Sequence, residues 1–425
     1  MPRASTAVAL APIKAFFRVV TSTEARDHLA TFAPRTTSET IPTVDACGRV
    51  LAKALTSPVD LPHFHRTNMD GYAVRAHDTF GASASLPMYL KLVGSVEMGK
   101  TVTRALKKGE TMRIATGGML PPGADSMVMV EYTEEMGDGT LEVQRSTSPW
   151  ENILRIGEDI KKGAAIFATG RRLRAHDLGA LTGVGLTKVP VHRRPKVALI
   201  STGDEIVAPE QSPKPGQIRN INQYSLRAMI TEAGGEPMDL GVVKDDRPAF
   251  EQAMARALSV ADVVMISGGS SVGIKDMTVD VVCSFPKSAV FFHGISIAPG
   301  KPTIFAKAAG KPVMGLPGHP VSALVVFSLF GAPLVRLVGG EPATTAFAPL
   351  RTTRARLAQN VASAPGREDY VRVLLTENNA GLLLAQPLPG KSGAVFSLVQ
   401  ANGMFCIPHN EEGKEAGEEV EVILF

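Results

Sequence analysis

The chain has 425 residues, 44% of them hydrophobic and 20% charged, an ordinary globular composition with length for about three domains. Lys+Arg 45 against Asp+Glu 41 leaves a net charge of +4, without a run of five like charges, which argues against a nucleic-acid partner. Cys47, Cys283 and Cys406 lie far apart with no C-x-x-C, so neither a zinc ribbon nor a disulfide framework is expected, and a reducing compartment fits.

The start, MPRASTAVALAPIKAFF, is broken by Pro12 and Lys14 before an apolar segment of signal-peptide length develops. Residues 22–33 predict a short helix with a Ser or Thr cap and Glu24 in the first turn. Residues 41–60 mix a strand-like start with a short helical pattern. From 61 to about 150, short β-rich runs (GYAVRA, MYLKLVGSV, SMVMVEY, TLEVQR) alternate with Gly/Pro turns, as in a small all-β module. Residues 152–192 turn helical again around HDLGALTGVG. The β module is therefore expected to be inserted into a discontinuous helical element made of residues 15–60 and 152–192.

From 193 to 340 strands alternate with helices. KVALIS at 196–201 is a buried strand. Leu226, Met229, Ile230 and Ala233 follow at i, i+3, i+4 and i+7, an apolar helical face closed by Gly234 and Gly235. Further strands (MDLGVV, DVVMIS) and a helix (PAFEQAMARAL) complete right-handed βαβ units in a mostly parallel sheet. The longest uncharged stretch, 312–335, is broken by Pro-Gly-His-Pro at 317–320, leaving 321–335 as a buried helix too short to cross a bilayer comfortably. A soluble, cytoplasmic protein with no membrane partner is expected. Residues 341–425 read as a small β barrel or sandwich. The fold class expected is thus multidomain α/β plus β.

Ligands of an open parallel sheet bind outside the carboxyl ends of its strands. The reactive residues of this region fall there: Thr202-Gly203-Asp204-Glu205, Asp245-Asp246, Gly268-Gly269-Ser270-Ser271-Val272-Gly273 with Asp276, Pro299-Gly300-Lys301-Pro302, and Pro317-Gly318-His319-Pro320. Glycines let backbone N–H groups approach a phosphate, with a positive helix terminus behind them. Carboxylates beside a phosphate make sense if they hold Mg²⁺, a hard cation shared with the phosphate. Lys301 supplies a point charge for an anion. Taken singly, Asp245-Asp246 reads more simply as a helix cap, and Pro320 as the first residue of a helix.

These residues sit in longer blocks: GRVLA at 48–52, DLPHFHRTNMDGYAVRAHD at 60–78, RIATGGMLPPGADSMVMVE at 113–131, RIGEDIKKG at 155–163, ALISTGDEIV at 198–207, SGGSSVGIKD at 267–276, APGKPTIFA at 298–306 and LPGHPVSAL at 316–324. In this order, over residues 22–425, the chain resembles the molybdopterin molybdenumtransferase family, which inserts molybdate into adenylated molybdopterin. The resemblance implies four domains: 15–60 with 152–192 helical, 61–151 an inserted β domain, 193–340 the α/β molybdopterin-binding domain, and 341–425 a β barrel. It also implies a homodimer whose site lies between subunits, Mg²⁺ as cofactor, and transient contact with molybdopterin adenylyltransferase and recipient molybdoenzymes.

Carried over by position, Asp70, Thr116, Asp159, Glu205, Asp245 and Asp276 match the family's functional polar set, with Glu205, Asp245 and Asp276 as metal ligands and Lys301 for molybdate. Thr202, Gly203, Gly268, Gly269, Ser270, Ser271, Gly273, Pro299, Gly300, Pro317, Gly318, Pro320 and Ser322 match the pterin-side loops. Arg367 and Ser392 match C-terminal anion contacts more loosely. Many relatives carry lysine where this chain has Ala298, and some a basic residue at Gly294, so Lys301 is expected to carry more of the oxyanion binding. His319 stands where asparagine is commoner. Two rival readings are a molybdopterin adenylyltransferase, whose third strand typically ends in GGTG, and a non-catalytic pterin carrier. The extra domains argue against the first, and the intact polar set against the second.

Overall fold

The computed structural model describes residues 18–32, 36–268, 272–349 and 351–425, with only the backbone at 272–276. The helix Ser22–Ala30 starts where expected. Thr21 caps it: the Glu24 amide donates to Thr21 Oγ1 at 3.2 Å, and the Thr21 amide donates to Glu24 Oε2 at 2.8 Å. Its apolar face, with Phe32 beyond it, packs into the core of the α/β sheet rather than against residues 152–192. The Phe32 and Phe305 rings meet edge to face with centroids 5.4 Å apart.

Between residues 36 and 60, and from 152 to 192, the helical content is limited to one nine-residue α-helix, Ala175–Gly183, and a short 3-10 turn at Thr43–Asp45. The rest is β ladder: Ser38–Pro42 pairs antiparallel with Lys188–His192, and Leu55–Thr56 with Ala165–Phe167. The helical pattern read in 41–60 fails at Gly48, whose φ of +73° breaks the run. Leu51 then serves a core shared with Leu173, Leu181, Val189 and Val191.

The inserted module is a six-stranded sheet in the order Ser126–Met129, Gly71–Val74, Glu110–Ile114, Met88–Ser95, Thr140–Val143, Thr133–Glu135. Alternate residues of Gly71–Val74 enter opposite cores: Ala73 packs with Met112, Ile114 and Met127, whereas Tyr72 and Val74 pack with Leu90, Val128 and Leu141. A Cβ at Gly71 would lie 2.0 Å from the Val128 carbonyl oxygen, so only glycine fits.

The central sheet contains β1 (Lys196–Thr202), β2 (Glu236–Val243), β3 (Val263–Gly268), β4 (Ala289–His293), β5 (Ile304–Ala308) and β6 (Lys311–Leu316), in the order β2-β1-β3-β6-β5-β4. β2, β1, β3 and β6 are parallel; β5 runs antiparallel to both of its neighbours. Helices α1 (Ile221–Glu232), α2 (Arg247–Val260) and α3 (Val272–Ser284) follow the first three strands, and α4 (Pro320–Val338) follows β6. Leu226, Ile230 and Ala233 of the α1 stretch and the whole of α4 cover one face together with Val197 and Leu199. Phe250, Met254 and Ala257 of α2 cover the other face with Ala198 and Ile200. Helix α4 contains a π turn at Phe327–Gly331 and is 83% buried over its most apolar window, a core helix as expected. Burial of side chains such as Phe327 and Phe330 stabilises this face by about 2–3 kcal/mol each.

The C-terminal strands Glu368–Glu377, Leu383–Pro387, Thr352–Leu357, Glu419–Leu424 and Gly403–Ile407 follow one another around a sheet that the first and last close by pairing. The module is thus a five-stranded barrel around Val373, Ala385, Phe405 and Val422. Ile297–Ala298 adds to it in parallel beside Glu368 and Asp369.

Candidate active site

The carboxyl ends of β1, β2 and β3 and the loop into α4 open on one cleft of about 420 Å³. Gly203 and Glu205 come from the first loop, Asp245 from the second, Ser267 and Gly268 from β3, and Gly318, His319 and Pro320 from the fourth. The first turn of α1 adds Asn220 and Asn222. Sheet pairing aligns Thr202 with Gly268, and the two strand ends touch so closely that a Cβ at Gly268 (φ +132°) would lie 2.1 Å from the Thr202 carbonyl oxygen. A Cβ at Gly203 (φ +144°) would strike the Glu205 carboxylate at 2.6 Å.

Neither asparagine was expected from the sequence. Asn220 caps α1, its Oδ1 accepting from the Gln223 amide at 3.3 Å, and it donates to Ser201 Oγ at 3.1 Å. Asn222 bridges two loops: its Nδ2 donates to Ser267 Oγ at 2.7 Å and to the Gly318 carbonyl at 2.9 Å. The signal available in the sequence was a helix start directly after a strand-end loop. Which asparagine caps and which bridges depends on burial.

The adjacent aspartates divide two roles. Asp246 caps α2, accepting from the Ala249 amide at 3.1 Å. Asp245 turns toward the cleft; its amide donates to Asp204 Oδ1 at 3.4 Å, and its own Oδ1 is buried without a hydrogen-bond partner. Burial, and then the charges of Asp204 and Glu205, push the Asp245 carboxyl above its usual range. Among the described residues no three His, Cys, Asp or Glu side chains form a ready metal cage. The unpaired Asp245 oxygen and the like charges around it nevertheless suit a hard cation that keeps waters and shares a phosphate. Gly269, Ser270 and Ser271 lie outside the described residues, and of Gly273 and Asp276 only the helix backbone is described.

Lys301 does not line this cleft. It is exposed on the β4–β5 connection, and its carbonyl accepts from the Ile295 and Thr303 amides at 3.0 and 2.9 Å. The pairing of Ile304 with Gly315 sets that connection beside the end of β6, on the same edge of the sheet. Gly300 (φ +121°) seats Pro299 and Lys301 against α4, since a Cβ there would lie 2.3 Å from Val326 Cγ2. Gly294 (φ +127°) has a backbone that only glycine adopts readily. Pro317 and Ser322 are buried beneath the fourth loop, and Pro320 opens α4.

Ser392 reaches the cleft from the barrel. Its Oγ lies 2.8 Å from His319 Nδ1, and its carbonyl accepts from the Val321 amide at 3.0 Å. Arg367 stands elsewhere, bonded to Asp369 at 2.8 and 3.3 Å beside Ala298. Asp70 and Thr116 form their own cluster in the inserted module. Asp70 Oδ1 accepts from the Thr116 amide at 2.6 Å and its hydroxyl at 2.8 Å, which holds the carboxyl below its usual range. Asp159 is exposed, with its amide on the Leu61 carbonyl at 3.1 Å. Their hydrogen bonds stay outside the central cleft.

An open α/β sheet with a carboxylate-bearing cleft at its strand ends, a β insert and a terminal barrel defines a multidomain α/β protein with its ligand cleft where such sheets carry one. Three family models match in sequence order: MoeA N-terminal region (domain I and II) over residues 20–185, probable molybdopterin binding domain over 198–337, and MoeA C-terminal region (domain IV) over 354–425. A molybdopterin molybdenumtransferase of Haemophilus influenzae is 33% identical over 388 residues, covering 90% of this chain and 92% of the relative. One of Nostoc is 32% identical over 383 residues, 89% and 86% of the two chains. The crystal structure of the molybdopterin biosynthesis MoeA protein of Pyrococcus horikoshii superposes with a TM-score of 0.82 at 31% identity, covering 96% of this chain and all of that one. The chain belongs to the MoeA family of molybdopterin molybdenumtransferases.

Proposed function

We infer that this protein inserts molybdate into adenylated molybdopterin, releasing AMP in the last step of molybdenum cofactor biosynthesis. The observation that carries the reading is the convergence of four strand-end loops on one cleft whose wall holds an unpaired, buried carboxylate oxygen. At Gly203 and Gly268 the wall carries no side chain, so backbone groups there approach an anhydride closely. Asp204, Glu205 and Asp245 are the residues that would hold Mg²⁺, with Asp276 from the start of α3. The ion supplies charge neutralisation and orientation when bound.

Lys301, on the same sheet edge, attracts molybdate as a point charge. His319 and Ser392 border the opening on the barrel side. Two molybdate oxygens leave as water while the two dithiolene sulfurs bond the metal, and one equivalent of water is taken up in cleaving the phosphoanhydride that releases AMP. Asp70, Thr116 and Asp159 lie away from the cleft, and a homodimer in which a second copy presents them would complete the site. The domain limits read from the sequence, a cytoplasmic location, and transient contact with the adenylate-supplying enzyme and with recipient molybdoenzymes belong to the same reading.

Purified protein given adenylated molybdopterin, molybdate and Mg²⁺ should release AMP and yield active cofactor. No AMP release from substrate shown to be intact overturns the assignment.

A further inference from the structure

Asn222 is 92% buried, its relative exposure being 8%, yet it lines the cleft. Both hydrogens of its side-chain amide are engaged, on Ser267 Oγ at 2.7 Å and on the Gly318 carbonyl at 2.9 Å. The second contact fixes the sense of the amide. A carbonyl only accepts, so the atom facing Gly318 has to be the NH₂ group, and a flipped amide would set two oxygens against each other. The remaining atom, Oδ1, is buried with no hydrogen-bond partner. A buried acceptor left unmade is costly, and it is held here by two anchors that prevent it from turning away.

We propose that Asn222 is a specificity-determining residue whose Oδ1 accepts a hydrogen bond from an N–H group of the ligand's heterocycle. The phosphoanhydride linkage and molybdate carry no proton at neutral pH and are repelled by this oxygen, so the atom reads the ring system and not the charged part of the substrate. The proposal rests on the transferase reading of the same cleft. The two ring systems of the substrate, pterin and adenine, both carry amino donors. Asn222 faces one of them while Asp245 faces the charged part.

The test measures binding by calorimetry, with 6-hydroxymethylpterin, AMP and inorganic pyrophosphate as probes, for the wild-type protein and Asn222→Ala. The expected result is a loss of roughly tenfold or more in affinity for one of the two heterocyclic probes and none for pyrophosphate. A second arm needs no variant. On wild-type protein, the pterin methylated at N3 and its 2-amino group, or AMP dimethylated at N6, should lose affinity to a similar degree, and that loss should vanish in Asn222→Ala. If the pterin arm responds, Oδ1 reads the pterin; if the AMP arm responds, it reads adenine. Unchanged affinity of both methylated probes overturns the proposal. So does a loss in Asn222→Ala that is equal for pyrophosphate and both heterocycles, since that marks a scaffold residue. AMP release by wild-type protein reports separately on the transferase reading.

Discussion

Ser392 Oγ sits 2.8 Å from His319 Nδ1, so a barrel residue holds a ring at the mouth of a cleft built by a different domain. One such bond contributes about 0.5–1.5 kcal/mol. Ser392→Ala should therefore raise KM for adenylated molybdopterin by roughly two- to tenfold while kcat for AMP release stays within about twofold. Steady-state kinetics separates the two. A fall in kcat with unchanged KM would instead place the pair in the chemical step.

Asp245 predicts a pH signature. Its folded carboxyl is shifted upward by burial and by Asp204 and Glu205, so the fold holds this proton more tightly than the unfolded chain does. That contribution is present at acid pH and is lost as pH rises through the shifted value. Asp245→Asn removes the charge, so its melting temperature relative to wild type should be higher at pH 7 than at pH 4. Millimolar Mg²⁺ should stabilise wild type and not the variant. A pH-independent gap between the two melting curves would refute this origin of the shift.

The neighbouring Asp246 gives the control. Its carboxylate caps α2, and Asp246→Ala should cost roughly 1 kcal/mol of stability. AMP release per folded molecule should be unchanged, in contrast to Asp245→Asn, where it should collapse.

Gly268→Ala is expected to cost about 3 kcal/mol or more, because the new Cβ would meet the Thr202 carbonyl oxygen at 2.1 Å and φ is +132°. Denaturant unfolding measures the cost. A variant as stable as wild type would mean that the two strand ends move apart readily.

A shared site across a dimer predicts complementation. Asp70→Asn and Asp245→Asn, each inactive alone, should regain roughly a quarter of wild-type AMP release when their subunits are mixed and exchanged, since one site in each mixed dimer is free of both changes. Mixtures no more active than the separate variants would confine the site to one subunit.

The strand-end residues were legible because a parallel sheet delivers its carboxyl ends to one edge whatever the side chains are. Glu205, Asp245 and Gly318 follow from that rule alone. Apart from the family resemblance, which singled out Asp245, the two neighbours Asp245 and Asp246 read alike in the sequence as a helix cap. The backbone direction at the start of α2 decides that one caps and the other turns inward. Asn222 carried no pattern, since its part depends on a serine 45 positions away and a carbonyl 96 away. The helix Ser22–Ala30 showed its cap in the sequence, but a cap does not name the partner of the helix, and its apolar face joined the α/β core. Lys301 was readable as a cation on the correct edge. Its place beside the cleft, and not in it, follows from how Gly300 seats on Val326.

The barrel is docked on the α/β domain through Tyr370 and Met404, which are buried in its core, and meets the rim at two further places. Backbone pairing joins Ile297–Ala298 to Glu368 and Asp369, and Ser392 grips the head of α4. A tilt of the barrel as a rigid body therefore displaces the Lys301 loop and the His319 loop together. Such a tilt would have to pull Tyr370 and Met404 out of the α/β core, so the docking of the barrel fixes the spacing between the lysine and the cleft mouth.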